Sequence, residues 1–171
     1  MKLTKLPLVA ALSLLVLSSN AWAQSSKRLI DEVNPFIGTS NFGTTNPGAV
    51  VPNGLMSITP FNVSGSPELN KFDKDKRWWS TPYTADNKFF SGFSHVNLSG
   101  VGCPELGSII VSASAGDLDV DYTHYGSAMS QEKAHPGYYS VQLDKHKIKA
   151  EVTATQRTAV SAFTFERGGK S

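Results

Sequence analysis

From Lys147 to Thr155 the chain alternates without a break. Ile148, Ala150, Val152 and Ala154 fall on one side, and Lys147, Lys149, Glu151 and Thr153 on the other. A period of two belongs to an extended strand with one face in a core and the other in water; a helix cannot use it. The neighbouring stretches agree. Tyr138 to Asp144 places Tyr139, Val141 and Leu143 on one face, and Thr158 to Phe165 places Phe163 and Phe165 on a common side. Asp144-Lys145-His146 reads as the turn of a hairpin between the first two. Upstream, Ser108 to Ala113 reads as a buried strand, and Asp117 to Tyr122 alternates Asp with Leu, Val and Tyr. Successive period-two strands joined by short polar turns predict an all-β fold, an antiparallel β-sandwich.

The preceding region is written differently. Pro35, Gly38, Gly43, Pro47, Gly48, Pro52, Gly54 and Pro60 interrupt it so often that no helix of ordinary length fits. Leu55 to Thr59 is its one strand candidate. Long ordered loops of this kind are usually functional or packed against another layer. Gly92 to Glu105 packs three glycines, His95, Asn97, Ser99 and Cys103 into one tract. Glycine lets a backbone turn tightly and approach a ligand closely, and the polar side chains can read hydroxyl groups, so the tract is expected to be a sugar-facing loop. About five strands is few for a sandwich, which typically has about seven, so the domain is expected to be incomplete.

Residues 1–23 read as a secretory signal peptide. Lys2 and Lys5 precede the apolar run Leu6 to Leu17, and Ala21-Trp22-Ala23 supplies a small-x-small cleavage site. The run is short for a membrane span and no second one follows, so no membrane association is expected after cleavage, and the location is secreted or periplasmic. The full chain carries 16 basic and 14 acidic residues; without Lys2 and Lys5 the two balance. Nucleic-acid binding shows a clustered basic surplus, and none is present. A single cysteine, Cys103, excludes an internal disulfide, so residues 24–171 must be held by a core.

Trp78 and Trp79 stand in a polar segment between Arg77 and Ser80. An exposed indole can lie flat against a pyranose while its N–H finds a polar partner; the alternative is that both anchor the loop. His95 and Asn97 either bind hydroxyls or serve local structure. Cys103 beside Pro104 reads as a small buried hydrophobe. Asp117, Asp119 and Asp121 share one face of their predicted strand, and a flat strand cannot wrap a calcium ion, so a solvated face is expected. Asn62-Val63-Ser64 and Asn97-Leu98-Ser99 are glycosylation sequons by pattern.

Several separated motifs, in order, resemble one family. Val33-Asn34-Pro35-Phe36-Ile37-Gly38-Thr39, Pro47-Gly48-Ala49-Val50-Val51-Pro52, Gly92 to Gly102, Pro136 to Val141 and Glu151 to Arg157 are similar to the opening of glycoside hydrolase family 92. The resemblance runs from about Val33 to Phe165. It implies an exported, calcium-dependent exo-α-mannosidase acting with inversion on mannose-containing glycans of N-glycan or mannan type. Such an enzyme joins an N-terminal β-sandwich to an (α/α)₆ barrel that carries the catalytic acid and base. The chain then holds the sandwich, residues 24–171, and lacks the barrel; no catalytic residue and no metal ligand is assigned in it. Trp78, Trp79, His95 and Asn97 are the expected substrate-binding residues, and Ca²⁺ the implied cofactor. Phe42 and Thr44 stand where many members have histidines, and Asn46 where an aromatic is common. A stand-alone carbohydrate-binding module is the alternative, and a structural or adhesive surface domain a third reading.

Overall fold

The computed structural model describes residues 28–41, 43–63, 65–66, 71–72, 81–97, 107, 109–119, 121, 124 and 126–166. The signal-peptide reading, Trp78, Trp79 and Cys103 lie outside the described residues. The chain divides into two units, Met1–Asp31 and Glu32–Ser171, and every described strand belongs to the second. In the first, the exposed Arg28 guanidinium pairs with Asp31 at 2.9 Å. One turn of 3-10 helix, Leu29–Glu32, is the only helix among the described residues.

Eleven strands follow: β1 (Ala49–Val50), β2 (Ser57–Phe61), β3 (Gly65–Ser66), β4 (Lys71–Phe72), β5 (Phe89–Phe90), β6 (Gly92–His95), β7 (Ile110–Val111), β8 (Ser127–His135), β9 (Tyr138–Leu143), β10 (Ile148–Ala154) and β11 (Ala159–Phe165). They form a four-stranded sheet, β1-β2-β6-β7, a five-stranded sheet, β11-β10-β9-β8-β5, and the small ribbon β3-β4. Every pairing is antiparallel.

The alternation in β10 is realised as read: Ile148, Ala150, Val152 and Ala154 are buried, and Lys149 and Thr153 exposed. Tyr139, Val141 and Leu143 of β9 and, partly buried, Phe163 and Phe165 of β11 join that core. The first sheet supplies Ala49, Ile58 and Phe93. Phe93 is the hinge of the packing, edge-on to Phe90 at 4.9 Å and to Tyr139 at 6.2 Å across the sandwich. Burying a ring of this size contributes about 3 kcal/mol, so the two sheets stand or fall together. The β9–β10 connection is a four-residue turn, Asp144 to Lys147, with Leu143 opposite Ile148.

Four expectations are corrected. The segment read as one buried strand over Ser108 to Ala113 is only the short β7, with Ile110 and Val111 45% and 40% exposed, because it is the edge of its sheet. Residues 117–119 and 121 are not in a strand. Asp119 Oδ2 lies 2.9 Å from His124 Nδ1, and its Oδ1 accepts the Asp121 N–H, an Asx turn that outcompetes extended pairing. Gly92 to His95 is not a loop but β6, the buried centre of the first sheet between β2 and β7. Finally, the expected count of about five strands gives way to eleven described ones, and β8, the longest of them, has no counterpart among the expected strands.

One glycine explains how sheet order is achieved. β5 pairs in the second sheet and β6, one residue later, in the first, so the chain changes sheets at Ser91-Gly92. Gly92 adopts φ 152°, and a Cβ there would sit 2.3 Å from Ile110 Cγ2. Only glycine lets β7 close against β6 at that bend.

Candidate functional site

Both faces of the first sheet are buried around β2. Ile58 points into the core, while Thr59, on the opposite face, is fully buried as well. What covers it is the Gly- and Pro-rich N-terminal loop. Gly48 packs so closely that a Cβ would lie 2.1 Å from Thr59 Oγ1. Asn46 Oδ1 accepts from Thr59 Oγ1 at 2.9 Å and from the Gly48 N–H at 3.2 Å. The loop is therefore fastened by polar groups, as a loop without a hydrophobic period must be.

From Thr59 a polar seam runs along β6. Ser94 Oγ lies 3.4 Å from the Thr59 carbonyl oxygen and 2.9 Å from Asn97 Oδ1. Asn97 Nδ2 donates to the Ser94 carbonyl at 3.1 Å, and the Asn97 N–H to Ser57 Oγ at 2.8 Å. These bonds hold a corner in which Val96, a β-branched residue, takes φ 57°. That conformation costs about 1–3 kcal/mol and persists only where the surroundings over-determine it, a condition common at ligand clamps.

His95, half-buried on the same corner, places Nδ1 2.9 Å from the Ile109 carbonyl oxygen. A carbonyl only accepts, so Nδ1 carries a proton, and in the neutral form of that tautomer Nε2 is the acceptor open to a hydroxyl. The structure thus brings His95 and Asn97 together at the end of β6. Asn97 uses its amide to brace the corner, and His95 keeps one ring nitrogen for other work. Trp78 and Trp79 fall outside the described residues.

A second buried polar group was invisible as such in the sequence. Asn62 is completely buried; its Nδ2 donates to the Thr84 and Asn87 carbonyls, each at 2.7 Å, and its Oδ1 accepts the Thr84 N–H at 2.8 Å. Asn87 Nδ2 returns a bond to the Asn62 carbonyl at 2.6 Å. The sequon reading at Asn62 therefore meets an amide with both N–H groups committed. The segment it holds, residues 81–89, in turn holds the N-terminal loop. The Ala85 N–H donates to the Thr39 carbonyl at 2.8 Å, and Asp86 Oδ2 accepts the Asn41 N–H at 3.1 Å. Thr81, at the start of the segment, buries a hydroxyl with no hydrogen-bond partner.

No group of three or more His, Cys, Asp or Glu side chains able to hold a metal ion occurs among the described residues. Asp119 and Asp121, roughly half-exposed, turn to His124 instead, with carboxylate oxygens 2.9 and 3.9 Å from its ring nitrogens. Calcium requires six to eight oxygens in a cage, so the described residues do not fit it. Chemically, the described residues of the corner and its loops can bind and orient hydroxyl groups; among them no pair of carboxyl groups faces each other across an open cleft. No helix of the described residues is long and apolar enough to cross a membrane.

Comparison with known proteins gives this arrangement its relatives. A family GH92 alpha-mannosidase from Bacteroides thetaiotaomicron, solved in complex with mannoimidazole, is 31% identical with a TM-score of 0.68, over 81% of this chain and 18% of that one. A GH92 inverting mannosidase from Bacteroides thetaiotaomicron VPI-5482 is 24% identical with a TM-score of 0.57, over 84% of this chain and 19% of that one, which speaks for the fold alone. An uncharacterized secreted glycosidase of Arthroderma benhamiae is 29% identical over 163 residues, 90% of this chain and 20% of its own length. The chain thus spans about a fifth of the length of these relatives. Residues 32–171 match the glycosyl hydrolase family 92 N-terminal domain over almost the whole described fold, and the chain belongs to that family.

Proposed function

We propose that this chain is the N-terminal β-sandwich of an exported α-mannosidase that hydrolyses terminal α-mannosidic bonds of mannose-containing glycans. The observation that carries the reading is the likeness, in sequence and fold, to an alpha-mannosidase solved with mannoimidazole. The braced corner of His95, Val96 and Asn97 supports it, since a sugar site needs hydroxyl-reading groups held in place. Residues 1–23 serve as the export signal and residues 24–171 as the sandwich. His95 Nε2 and Asn97, with Trp78 and Trp79 as stacking faces, contact the terminal mannose.

The reaction needs a carboxylic acid to protonate the glycosidic oxygen and a carboxylate, on the opposite face, to take a proton from water as its oxygen attacks the anomeric carbon. With inversion the two carboxyl groups stand about 6.5–9.5 Å apart. We place both, and the calcium ligands, in an (α/α)₆ barrel outside this chain. The sandwich's part is to hold the non-reducing sugar while the barrel acts on it.

This chain alone is expected to leave aryl and disaccharide mannosides intact with calcium present, whereas the protein carrying the barrel cleaves them and stops when calcium is chelated. In that protein, Trp78→Ala with Trp79→Ala raises KM about five- to tenfold, the loss of one stacking face. Turnover by the chain alone would contradict the division of labour, and an inactive longer protein the activity. A stand-alone carbohydrate-binding module is the second reading, favoured by the single core that both sheets share. Saturable mannose binding by the chain, together with an inactive longer protein, selects it.

A further inference from the structure

β8 breaks its own register. Its pairing with β9 shifts between Ser130 and Lys133, and Gln131 takes φ 51°. The extra residue reverses which parity faces inward: Met129 lies in the core, and Ala134, five residues on, packs partly buried against it. Glu132, which an unbroken strand would turn to solvent, is thereby turned in, with its side chain only 8% exposed. Oε2 accepts the hydroxyls of Tyr83 and Tyr139, each at 2.8 Å, and Oε1 meets Lys88 Nζ at 2.5 Å.

A buried carboxylate is a costly way to fill space, and an apolar residue would pack there at less cost. What the carboxylate does, and an apolar residue cannot, is grip a distant segment by two polar handles. Tyr83 and Lys88 flank Ala85 and Asp86, the two residues that hold the backbone of Thr39 and Asn41. Hydrogen bonds at both ends of one short backbone segment, residues 83–88, therefore link the bulge in the second sheet to the glycine-rich loop over the first. Bulges re-aim single side chains in this way, and buried charges fix one arrangement out of several.

We propose that Glu132 is a positioning residue for the sugar site: it sets the place of residues 83–88 and, through Ala85 and Asp86, of the loop around Thr39 and Asn41. The effect on sugar affinity rests on the proposed mannose site at the His95–Asn97 corner, to which the N-terminal loop is joined through Asn46, Thr59 and Ser94; the positioning itself does not. The test is amide hydrogen exchange on the chain, paired with titration by mannose, for the wild type, Glu132→Gln and Lys88→Met. In Glu132→Gln the Ala85 and Asn41 amides are expected to exchange about tenfold faster while those of β10 keep their protection. Mannose affinity is expected to fall about fivefold, and Lys88→Met, at an exposed ammonium, to give the same pattern more weakly. Unchanged exchange at Ala85 and Asn41 would overturn the proposal. A uniform rise at every amide, β10 included, would also overturn it, because that is lost stability and nothing more. Selective exchange in a chain whose wild type ignores mannose upholds the positioning role and counts against the sugar-site reading instead.

Discussion

At the scale of single residues, the most informative side chain is one whose sequence pattern pointed elsewhere. Asn62 reads as a glycosylation sequon by pattern, yet it is completely buried and its amide makes three hydrogen bonds to the 81–89 segment. Nothing local distinguishes the two cases, because the partners lie more than twenty residues downstream. Removing the amide strands the Thr84 N–H and leaves two carbonyls short of a donor inside the protein. Asn62→Ala is therefore expected to destabilise the fold by about 3 kcal/mol, read as a lower urea midpoint with unchanged slope. A change below about 0.5 kcal/mol would mean that water replaces the amide. His95 and Asn97 were legible as polar residues in a glycine-rich tract; that Asn97 spends its amide on Ser94 was not, since the same residue types serve a turn and a ligand equally well.

At the scale of elements, legibility followed parity. β9, β10 and β11 keep one face in the core from end to end, so their alternation is plain in the sequence. β8 does not. Its bulge moves the inward positions from Met129 to Ala134, and between them stands Glu132, a buried charge that reads as a surface residue. β6 differs for another reason: its small and polar residues look like loop, but the centre of the first sheet, at β2 and β6, is buried on both faces and they are what fits between close backbones. Turns carry their own signal and their own strain. Lys147 ends the β9–β10 turn at φ 51°, where a side chain is disfavoured and a glycine is not. Its side chain is exposed, so nothing is lost by removing it. Lys147→Gly is expected to stabilise the hairpin by about 0.5–1 kcal/mol, seen as a raised melting temperature. A lowered one would show that unfolded-chain entropy outweighs the strain.

At the scale of the whole molecule, the two sheets share one apolar core, and beside it the second sheet carries a buried polar knot in which Glu132 receives Tyr83 and Tyr139. The knot gives the fold a pH limit on the alkaline side. Burial raises the Tyr83 hydroxyl's pKa far above its ordinary value of 10.0, and the negative Glu132 beside it adds to the effect. Burial raises Tyr139 in the same direction, again reinforced by Glu132. Both phenols stay neutral in the folded chain at a pH where they ionise in the unfolded one. A raised folded-state pKa means that their contribution is fully present below pH 10 and is lost as the pH climbs from there towards the folded-state values. Each phenol then removes about 1.4 kcal/mol per pH unit, so the pair removes about 2–3 kcal/mol between about pH 9 and pH 11, against a total of about 5–15 kcal/mol. Urea unfolding at the two pH values measures the difference directly. Tyr83→Phe, which has no proton to lose at that site, is expected to show about half the drop, and tyrosinate absorbance from Tyr83 and Tyr139 is expected to appear with the loss of strand signal. Ionisation of both while the sheets remain intact would mean that the knot opens to water without the sandwich coming apart, and that the apolar core around Phe93 holds the two sheets together without it.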